Sequence, residues 1–451
     1  MREPQFHYTS LMLEGLQPEA RKHLRRNFAL GVANGAIFSF GDALQDINLV
    51  LSVFVNRLSG SNLLVGLLLP IRLGGWALPQ LLFSCRVQAA PRKLPYYRLA
   101  AAVRLAAEMG LAVAVFLVGN KSLLLAVMFL LILGQTLSGG LSGLAFADVV
   151  AKTIPSRMRG SFLAWRGFIG GILALLGALV VRYFLDERRG LAFPTNYAVL
   201  FVLATVALAG SFTSFASVKE PREDNVQARA GVMEQLGRAA ALARAHRDFR
   251  TFLVSRALLM VAEIASPFYI LYAKLMLGLP DSIAGTYLTV STVANILSTY
   301  LWGRLSDRTG NRTLLRLVCA ISCLPPLLAL GAWPAIRTMS GAGWLPPAFF
   351  GLIFALIGAS RTGIFIGGLN FLLDLAPADD RSIYVGLTNT VVGVASFASA
   401  LGGVVVEVLG YRALFSLTFV LYVAATAAVM RTSEPREAAR AQERELAANV
   451  P

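Results

Sequence analysis

Charged and amide side chains recur inside stretches of this chain that are otherwise apolar. Asp42 and Asp46 have the spacing that places two side chains one turn apart on one face of a helix, and Gln45 lies between them. Two carboxylates in a low-dielectric environment cannot both be charged cheaply unless a cation is close. Arg72, just after Pro70, is the nearest plausible cation. The pattern indicates either a carboxylate pair that exchanges a proton between two states, or a static ion-paired cluster.

The second half of the chain carries a comparable set of residues. Glu263 lies in the middle of one apolar stretch, with Tyr269 towards one end of it, and Arg361 lies in the middle of another. Arg361 either holds an anionic group of a ligand or neutralises Glu263, and both hypotheses stay open. The three histidines lie outside these stretches, so any proton exchange inside them requires a carboxylate.

The elements that position these residues follow from the composition. Of 451 residues, 56% are hydrophobic and 15% are charged, against about 25% charged in soluble proteins. Stretches of the roughly 20 apolar residues that cross a bilayer recur along the whole chain, and lipid favours helices because they satisfy their own backbone. The sequence predicts an all-α integral membrane protein of twelve transmembrane helices, numbered here as spans in chain order: 28–56, 62–85, 97–119, 122–150, 161–185, 194–217, 249–276, 281–303, 313–335, 347–374, 382–407 and 411–431.

Ionisable groups at the middle of a bilayer cost about 2.5–3.5 kcal/mol or more, which makes them functional candidates. Arg104 and Glu108, four residues apart in the third span, are expected to be an ordinary intrahelical pair with a structural role. Arg166 and Arg256 lie near the ends of their spans, so we expect both guanidinium groups to reach the membrane surface and anchor there.

The orientation follows from the basic residues in the loops. With the N-terminus in the cytoplasm, cytoplasmic segments hold 28 Lys and Arg residues and the opposite side holds 7, as the positive-inside rule requires. This predicts a multi-pass protein of the cell membrane with both termini cytoplasmic. The predicted parts are a cytoplasmic N-terminal segment (1–27), a first six-helix bundle (28–218), a cytoplasmic linker (219–248), a second six-helix bundle (249–431) and a cytoplasmic tail (432–451).

Composition also bears on cofactors and partners. The formal charge of +16 would suggest nucleic acid in a soluble protein, but here the basic residues stand in short loops beside apolar spans. Cys85, Cys319 and Cys323 lie in or at the ends of apolar segments, which argues against a disulfide framework. No metal site or cofactor is predicted. In the first segment, Leu11, Leu13 and Leu16 beside basic residues predict a short helix on the membrane surface.

A weak internal repeat supports the division into two halves. Asp148, Pro155 and Arg159 correspond to Asn370, Pro377 and Arg381 at a constant offset. The loops 84–93 and 303–312 also follow the second span of each half. This pattern is typical of an old duplication.

The loop after the eighth span carries the most specific motif. It reads Gly303-Arg304-Leu305-Ser306-Asp307-Arg308-Thr309-Gly310-Asn311-Arg312. Gly303 allows two helices to approach closely, and Gly310 permits a positive φ. Asp307 suits the positive N-terminal end of a helix, and Arg308 or Arg312 suits Asp374 at the end of the tenth span. This loop closely resembles the signature loop of the major facilitator superfamily, Gly-x-Leu-Ala-Asp-Arg-x-Gly-Arg-Lys.

The resemblance implies a fold of two pseudo-symmetric six-helix bundles and a secondary transporter that acts as a monomer. It implies that Asp307 contacts the start of the fifth span, near Gly160, when the cytoplasmic side is closed, and that the first and seventh spans line the cavity. The family pattern of the fourth span points to Gln135, although its arginine is missing here. The first-half loop, 84–93, lacks the aspartate, so the cytoplasmic latch should rest on the second half.

The sequence thus predicts a small-molecule transporter that works by alternating access and is proton-coupled. An uncoupled facilitator is the main alternative. A receptor or scaffold on a transport fold is a second alternative, since fold alone does not decide function. A membrane enzyme is a third, because Asp379-Asp380 superficially resembles a metal-binding pair, but that loop has no histidine nearby.

Overall fold

The computed structural model describes residues 18–88, 90–222, 237, 241–338, 343–376 and 381–433, and this part of the chain is helical without a strand. Helices occur at the position of each predicted span. In the first half their bounds are Leu24–Leu44 with Ser52–Ser59, Asn62–Gln88, Leu94–Leu117, Lys121–Thr153, Ser156–Phe184 and Thr195–Ala216. In the second half they are Arg247–Ala262 with Phe268–Leu277, Ile283–Thr309, Asn311–Ser322 with Leu324–Leu330, Leu345–Leu375, Arg381–Ser396, and Leu401–Met430. Short helices also form at Pro18–Lys22, Glu187–Arg189 and Ala332–Thr338.

The all-α membrane fold class is confirmed, and the helix count is consistent with twelve spans. Nine helical stretches of the described residues are long and apolar enough to cross a membrane. One of them, Tyr384–Met430, contains a kink at Gly410, where the predicted eleventh and twelfth spans meet. Asn62–Ala77 is a shorter apolar helix, and Ile283–Thr309 is a full-length but more polar one.

Some predictions concern residues outside the described ranges. These are the surface helix around Leu11, most of the linker 219–248, the tail beyond Ser433, and the pair Asp379-Asp380. The predicted bundle boundaries and the cytoplasmic position of both termini stay predictions.

The contacts of the chain define two compact units. The first contains 1–45, 75–180 and 192–229, and the second contains 46–74, 181–191 and 230–451. The first unit has an apolar core that includes Phe162, Phe215 and Leu208. The second has a core around Phe252, Phe371 and Tyr384. Two short pieces of the predicted first half therefore pack as part of the second unit.

Spans 1 and 7 are both interrupted near their middle. The first helix of span 1 ends at Leu44, and a π-helical turn, Ile47–Leu51, connects it to the next helix. Span 7 changes to a 3₁₀ turn at Glu263–Ala265. Pro267 follows that turn, and it lacks the N–H that a continuous helix would need. The two interruptions fall at the carboxylates selected from the sequence, Asp46 and Glu263.

Candidate functional site

Asp46 lies at the interruption of span 1 rather than within a helix. Its backbone is extended (φ −54°, ψ 126°), and its carboxylate accepts hydrogen bonds from the N–H groups of Asn48 and Leu49 at 3.0 and 2.9 Å. The prediction that Asp42 and Asp46 share one helical face is therefore wrong, because the helix ends between them. Asp46 caps the following turn, as an N-cap aspartate does, whereas Asp42 belongs to the preceding helix.

The other first-half candidates are placed as follows. Gln45 is almost fully buried beside the interruption, and Gln135 is 5% exposed in span 4, with no partner for its Nε2 atom among the described residues. Asp42 and Arg72 are both half-buried. The pairing of Arg72 with these carboxylates stays a prediction.

Glu263 and Arg361 meet in the second unit. The Arg361 guanidinium lies 4.0 Å from Glu263 Oε2, with their side chains 52% and 21% exposed. The Ser266 hydroxyl also donates a hydrogen bond to Glu263 Oε2. Two roles were considered for Arg361, binding an anionic ligand group and neutralising Glu263. The geometry places Arg361 near Glu263, at the longest distance that counts as an ion pair. The guanidinium keeps most of its donors for another group.

Tyr269 lies within the same unit as Glu263. Its ring stacks on Phe415 with the centroids 5.0 Å apart. The side chain is 3% exposed, and its hydroxyl finds no hydrogen-bond partner among the described residues. A buried hydroxyl in this condition costs about 1–3 kcal/mol, so it is suited to a water or ligand oxygen.

The first unit contains a polar cluster that the sequence did not reveal. The Asn34 amide donates to the backbone and hydroxyl oxygens of Ser211, each at 2.9 Å, and to the Tyr97 hydroxyl at 3.2 Å. Arg166 donates to the Asn34 side-chain oxygen at 2.8 Å and to the Gly31 carbonyl at 3.0 Å. These bonds join spans 1, 3, 5 and 6.

Arg166 therefore does not anchor at the membrane surface, and that prediction is wrong. Its guanidinium lies over the Phe146 ring at 4.5 Å. The stem packs on Gly35, where a Cβ atom would lie 2.1 Å from Arg166 Cγ. The missing side chain at Gly35 provides the space, and the acceptors of span 1 draw the arginine inward. Arg256 likewise points inward, towards Gly368 and the Ile364 carbonyl.

Arg104 has more contacts than an intrahelical pair would give. Its guanidinium lies between the rings of Phe38 and Phe212, at 5.1 and 5.4 Å from their centroids. It also approaches Gly139 of span 4. Such cation–π contacts are worth about 0.5–2 kcal/mol each, so Arg104 helps to hold spans 1, 3 and 6 together.

A network of ions forms at one end of the second unit. Arg57 donates to Asp281 at 2.8 Å and to Glu187 at 2.6 Å, and Lys274 also donates to Asp281. Asp281 lies in the turn before the helix Ile283–Thr309, and its side chain is only 4% exposed. Its burial by itself would raise the pKa of Asp281, but Lys274 and Arg57 outweigh this effect and hold that pKa below its ordinary value.

Close glycine contacts accompany this network. Gly403 packs so tightly on span 2 that a Cβ atom would lie 2.3 Å from the Asn62 carbonyl oxygen. Glu407 accepts hydrogen bonds from the Ser61 hydroxyl and the Leu63 N–H, both at 3.0 Å. We call the contacts of segments 46–74 and 181–191 with Asp281, Gly403 and Glu407, together with the ion pair of Lys274 and Asp281, the seam. No sequence pattern indicates it, since its members are far apart in the chain.

The signature loop has part of the predicted geometry. Gly310 has φ +87°, as predicted. The prediction that Gly303 allows a close approach of two helices is wrong, because a Cβ atom added there would meet nothing within 4 Å among the described residues. Asn311, fully buried, donates to Asp374 at 2.6 Å and accepts from Ser306. Arg312 reaches the Met430 carbonyl at 3.4 Å. The pairing of Arg308 or Arg312 with Asp374, and the contact of Asp307 with span 5, stay predictions.

The helices, their interruptions and the signature loop define a membrane transporter fold. Residues 251–450 match the family model of the Major Facilitator Superfamily. The resemblance to this superfamily is thereby confirmed, without a subfamily.

Solved structures agree on the fold. A D-xylose–proton symporter superimposes with a TM-score of 0.68 at 14% identity, over 92% of this chain and 99% of that one. A nucleoside transporter gives 0.68 at 13% identity, over 89% and 99%. A bacterial homologue of the iron transporter ferroportin, in an inward-facing state, gives 0.64 at 13% identity, over 90% and 98%.

Related sequences carry no assigned activity. Uncharacterized proteins of Mycobacterium bovis and Mycobacterium tuberculosis are 25% identical over 300 residues, which is 66% of this chain. The chain spans 56% of the length of these relatives. Together, the family match and the fold support a multi-pass membrane protein.

Proposed function

We propose that this protein is a proton-coupled secondary transporter that works by alternating access. The observation that carries the proposal is the interruption of spans 1 and 7 at Asp46 and Glu263. Interrupted helices in transporters expose helix ends and unpaired backbone groups near mid-membrane, where substrates and coupling ions bind. Two carboxylates at equivalent places in two halves fit that arrangement.

Within this proposal, Glu263 is the foremost candidate for the coupling carboxylate. Its approach to Arg361 is long, at 4.0 Å, so the pair gives up little when a proton or an anionic substrate group replaces one partner. Asp46 already accepts two backbone N–H bonds, which assigns it to holding span 1. Asp42 is the second coupling candidate.

The seam supplies the element that alternating access requires. Its ion pairs and glycine contacts join segments of the first half to the second half within one unit. Under the proposal, these contacts separate when the binding site opens towards their side, and the predicted contact of Asp307 with span 5 holds the other side closed. Transport then alternates between the two.

The test is proton movement in proteoliposomes that contain a pH-sensitive dye. D-xylose and nucleosides serve as first probes, because proteins with this fold transport them, and a thermal-shift screen extends the panel. A transported compound should drive proton uptake in the wild type. Glu263→Gln should abolish proton uptake but retain exchange of labelled substrate, whereas Thr362→Ala, beside Arg361 on the same span, serves as a control that retains both.

Other outcomes decide between the alternatives. Flux that ignores an imposed pH gradient would identify an uncoupled facilitator. Saturable binding without flux would identify a receptor on a transport fold. Chemical conversion of a bound compound would identify a membrane enzyme.

A further inference from the structure

The second unit has a cavity away from the interruptions of spans 1 and 7. A cavity of about 590 Å³ occurs in the second unit where the first turn of span 7 meets the ends of spans 10 and 12. Its walls include Arg247, Arg312, Arg431 and His246, with Tyr384 among the lining residues. Small-molecule pockets measure about 300–1,000 Å³, so the cavity holds more than a single ion. Of its lining residues, Arg312 also belongs to the signature loop of the proposed transport mechanism.

The charge of this cavity is positive. Three guanidinium groups line it, and Arg247 and Arg431 are exposed. One carboxylate, that of Asp248, also lines the cavity. It accepts hydrogen bonds from the Ser433 N–H, at 3.4 Å, and from the Ser433 hydroxyl. The Asp248 carboxylate therefore already has hydrogen-bond donors within the chain.

The helix that borders the cavity adds to this field. Span 7 starts at Arg247, and its N-cap residue, His246, makes no side-chain hydrogen bond to the first turn. The first N–H groups of a helix have no intrahelical acceptor, and the helix dipole makes this end favourable for anions. Tyr384 packs on Phe249 with ring centroids 4.1 Å apart, which gives the site a rigid wall.

The first unit shows what such a helix end binds. There the carboxylate of Glu220 accepts hydrogen bonds from the N–H groups of Lys93 and Leu94, at 2.8–2.9 Å. Lys152 adds an ion pair at 3.3 Å.

We propose that the cavity binds a phosphate-bearing anion through Arg247, Arg312 and Arg431. Planar guanidinium groups donate in pairs to phosphate oxygens, and basic pockets between membrane helices bind phosphate headgroups. The phosphate belongs either to a membrane lipid or to a soluble phosphate ester. The proposal does not depend on what the protein transports.

The experiment compares Arg247→Gln/Arg431→Gln with Arg250→Gln, which removes the same charge from the same helix outside the cavity. Inorganic pyrophosphate is titrated calorimetrically into the full-length protein in neutral detergent. Lipid retention is measured by native mass spectrometry after incubation with phosphatidylcholine vesicles that contain or lack phosphatidylglycerol. Loss of a charge-assisted hydrogen bond should weaken binding about tenfold or more, and R250Q should bind like the wild type.

Each result has a defined meaning. Pyrophosphate binding that is lost in the double variant supports a soluble ligand, and loss confined to phosphatidylglycerol retention supports a lipid. Equal binding by the double variant and R250Q, or no binding of either probe, overturns the proposal. It is also wrong if pyrophosphate binds only after removal of 434–451, because the arginines then bind the tail that begins at Glu434. If the double variant is not monodisperse, R431Q alone is measured.

Discussion

At the scale of single residues, Asp281 has the most concentrated set of interactions in the seam. It is nearly fully buried and is held by Arg57 and Lys274, whereas Glu187 on the other side of Arg57 is half-exposed. A buried carboxylate that loses its charge leaves its cationic partners without compensation, which costs more than loss of an exposed ion pair. The seam should therefore respond strongly to Asp281 and weakly to Glu187.

Asp281→Asn should open the seam. In a background without the native cysteines, spin labels are attached through the substitutions Ser59→Cys and Ser282→Cys, and the distance between them should lengthen or broaden. Removing charge-assisted hydrogen bonds should cost about 1–3 kcal/mol. Glu187→Gln is the control, expected to change stability by no more than about 1 kcal/mol. Unchanged distances in D281N would show that the network does not hold the seam.

The same residue gives a pH dependence. Its pKa is lowered in the folded protein, so its stabilising contribution is present above its ordinary pKa, about 3.9, and is lost as the pH falls through the lower folded value. The label distance in the wild type should thus stay constant from neutral to mildly acidic pH and lengthen only in stronger acid. In D281N this acid response should be absent.

Sequence reasoning at this scale succeeded in naming residues and failed in their geometry. It selected Glu263 and Arg361, which do approach each other, and Gly310, which has the positive φ. It placed Asp42 and Asp46 on one helical face because regular periodicity carries no sign that a helix stops at Leu44. It predicted that Arg166 anchors at the membrane surface, because its hydrogen-bond acceptors, on Asn34 and Gly31, belong to another span and cannot be recognised from the sequence around Arg166.

At the scale of elements, glycines contribute to the packing of the spans because they let two backbones come close together. Gly403 and Gly66 allow the backbones of spans 2 and 11 to approach, so that a Cβ atom added at Gly66 would lie only 2.7 Å from the Gly403 nitrogen. In lipid, such close approach replaces the hydrophobic drive that packs helices in water. The positions of the helices were predictable from hydropathy, whereas these contacts were not, since a glycine in an apolar stretch carries no mark of which backbone it will meet.

Gly403→Ala should destabilise the protein by about 1–3 kcal/mol, as overpacking does, because its Cβ would lie 2.3 Å from a backbone oxygen. Gly386→Ala is the matched control on the same span, where nothing lies within 4 Å of the new atom. It should be neutral or stabilising by about 0.5–1 kcal/mol, since alanine favours a helix. Thermal unfolding in detergent measures both. A G403A protein as stable as the wild type would contradict the tight packing.

At the scale of the whole molecule, hydropathy and one loop were sufficient for the fold. The signature loop indicated the resemblance to the superfamily, and residues 251–450 match its family model. Loop charge predicted an orientation, which rests on the electrostatics of insertion rather than on any contact inside the protein. For that reason the structure of the chain by itself does not report it.

The predicted orientation can be measured with single cysteines in a background without the native ones. A cysteine in place of Arg188, in the exposed turn between spans 5 and 6, should react with a membrane-impermeant maleimide in intact cells. A cysteine in place of Thr309, exposed in the signature loop, should react only after the membrane is permeabilised. The reverse pattern would invert the orientation and exchange the two sides assigned to the gates.

The membership of 46–74 and 181–191 in the second unit has a consequence for biogenesis. Ribosomes insert the first six spans before the last six exist, so Arg57 and Gly66 enter the bilayer before their partners Asp281 and Gly403 are synthesised. During that interval the ends of spans 1, 2 and 5 have polar and glycine surfaces with nothing to cover them. The nascent protein then depends on lipid, or on insertion machinery, to shield these ends until Asp281 and Gly403 are synthesised. The first half therefore completes its packing only after the second half is inserted.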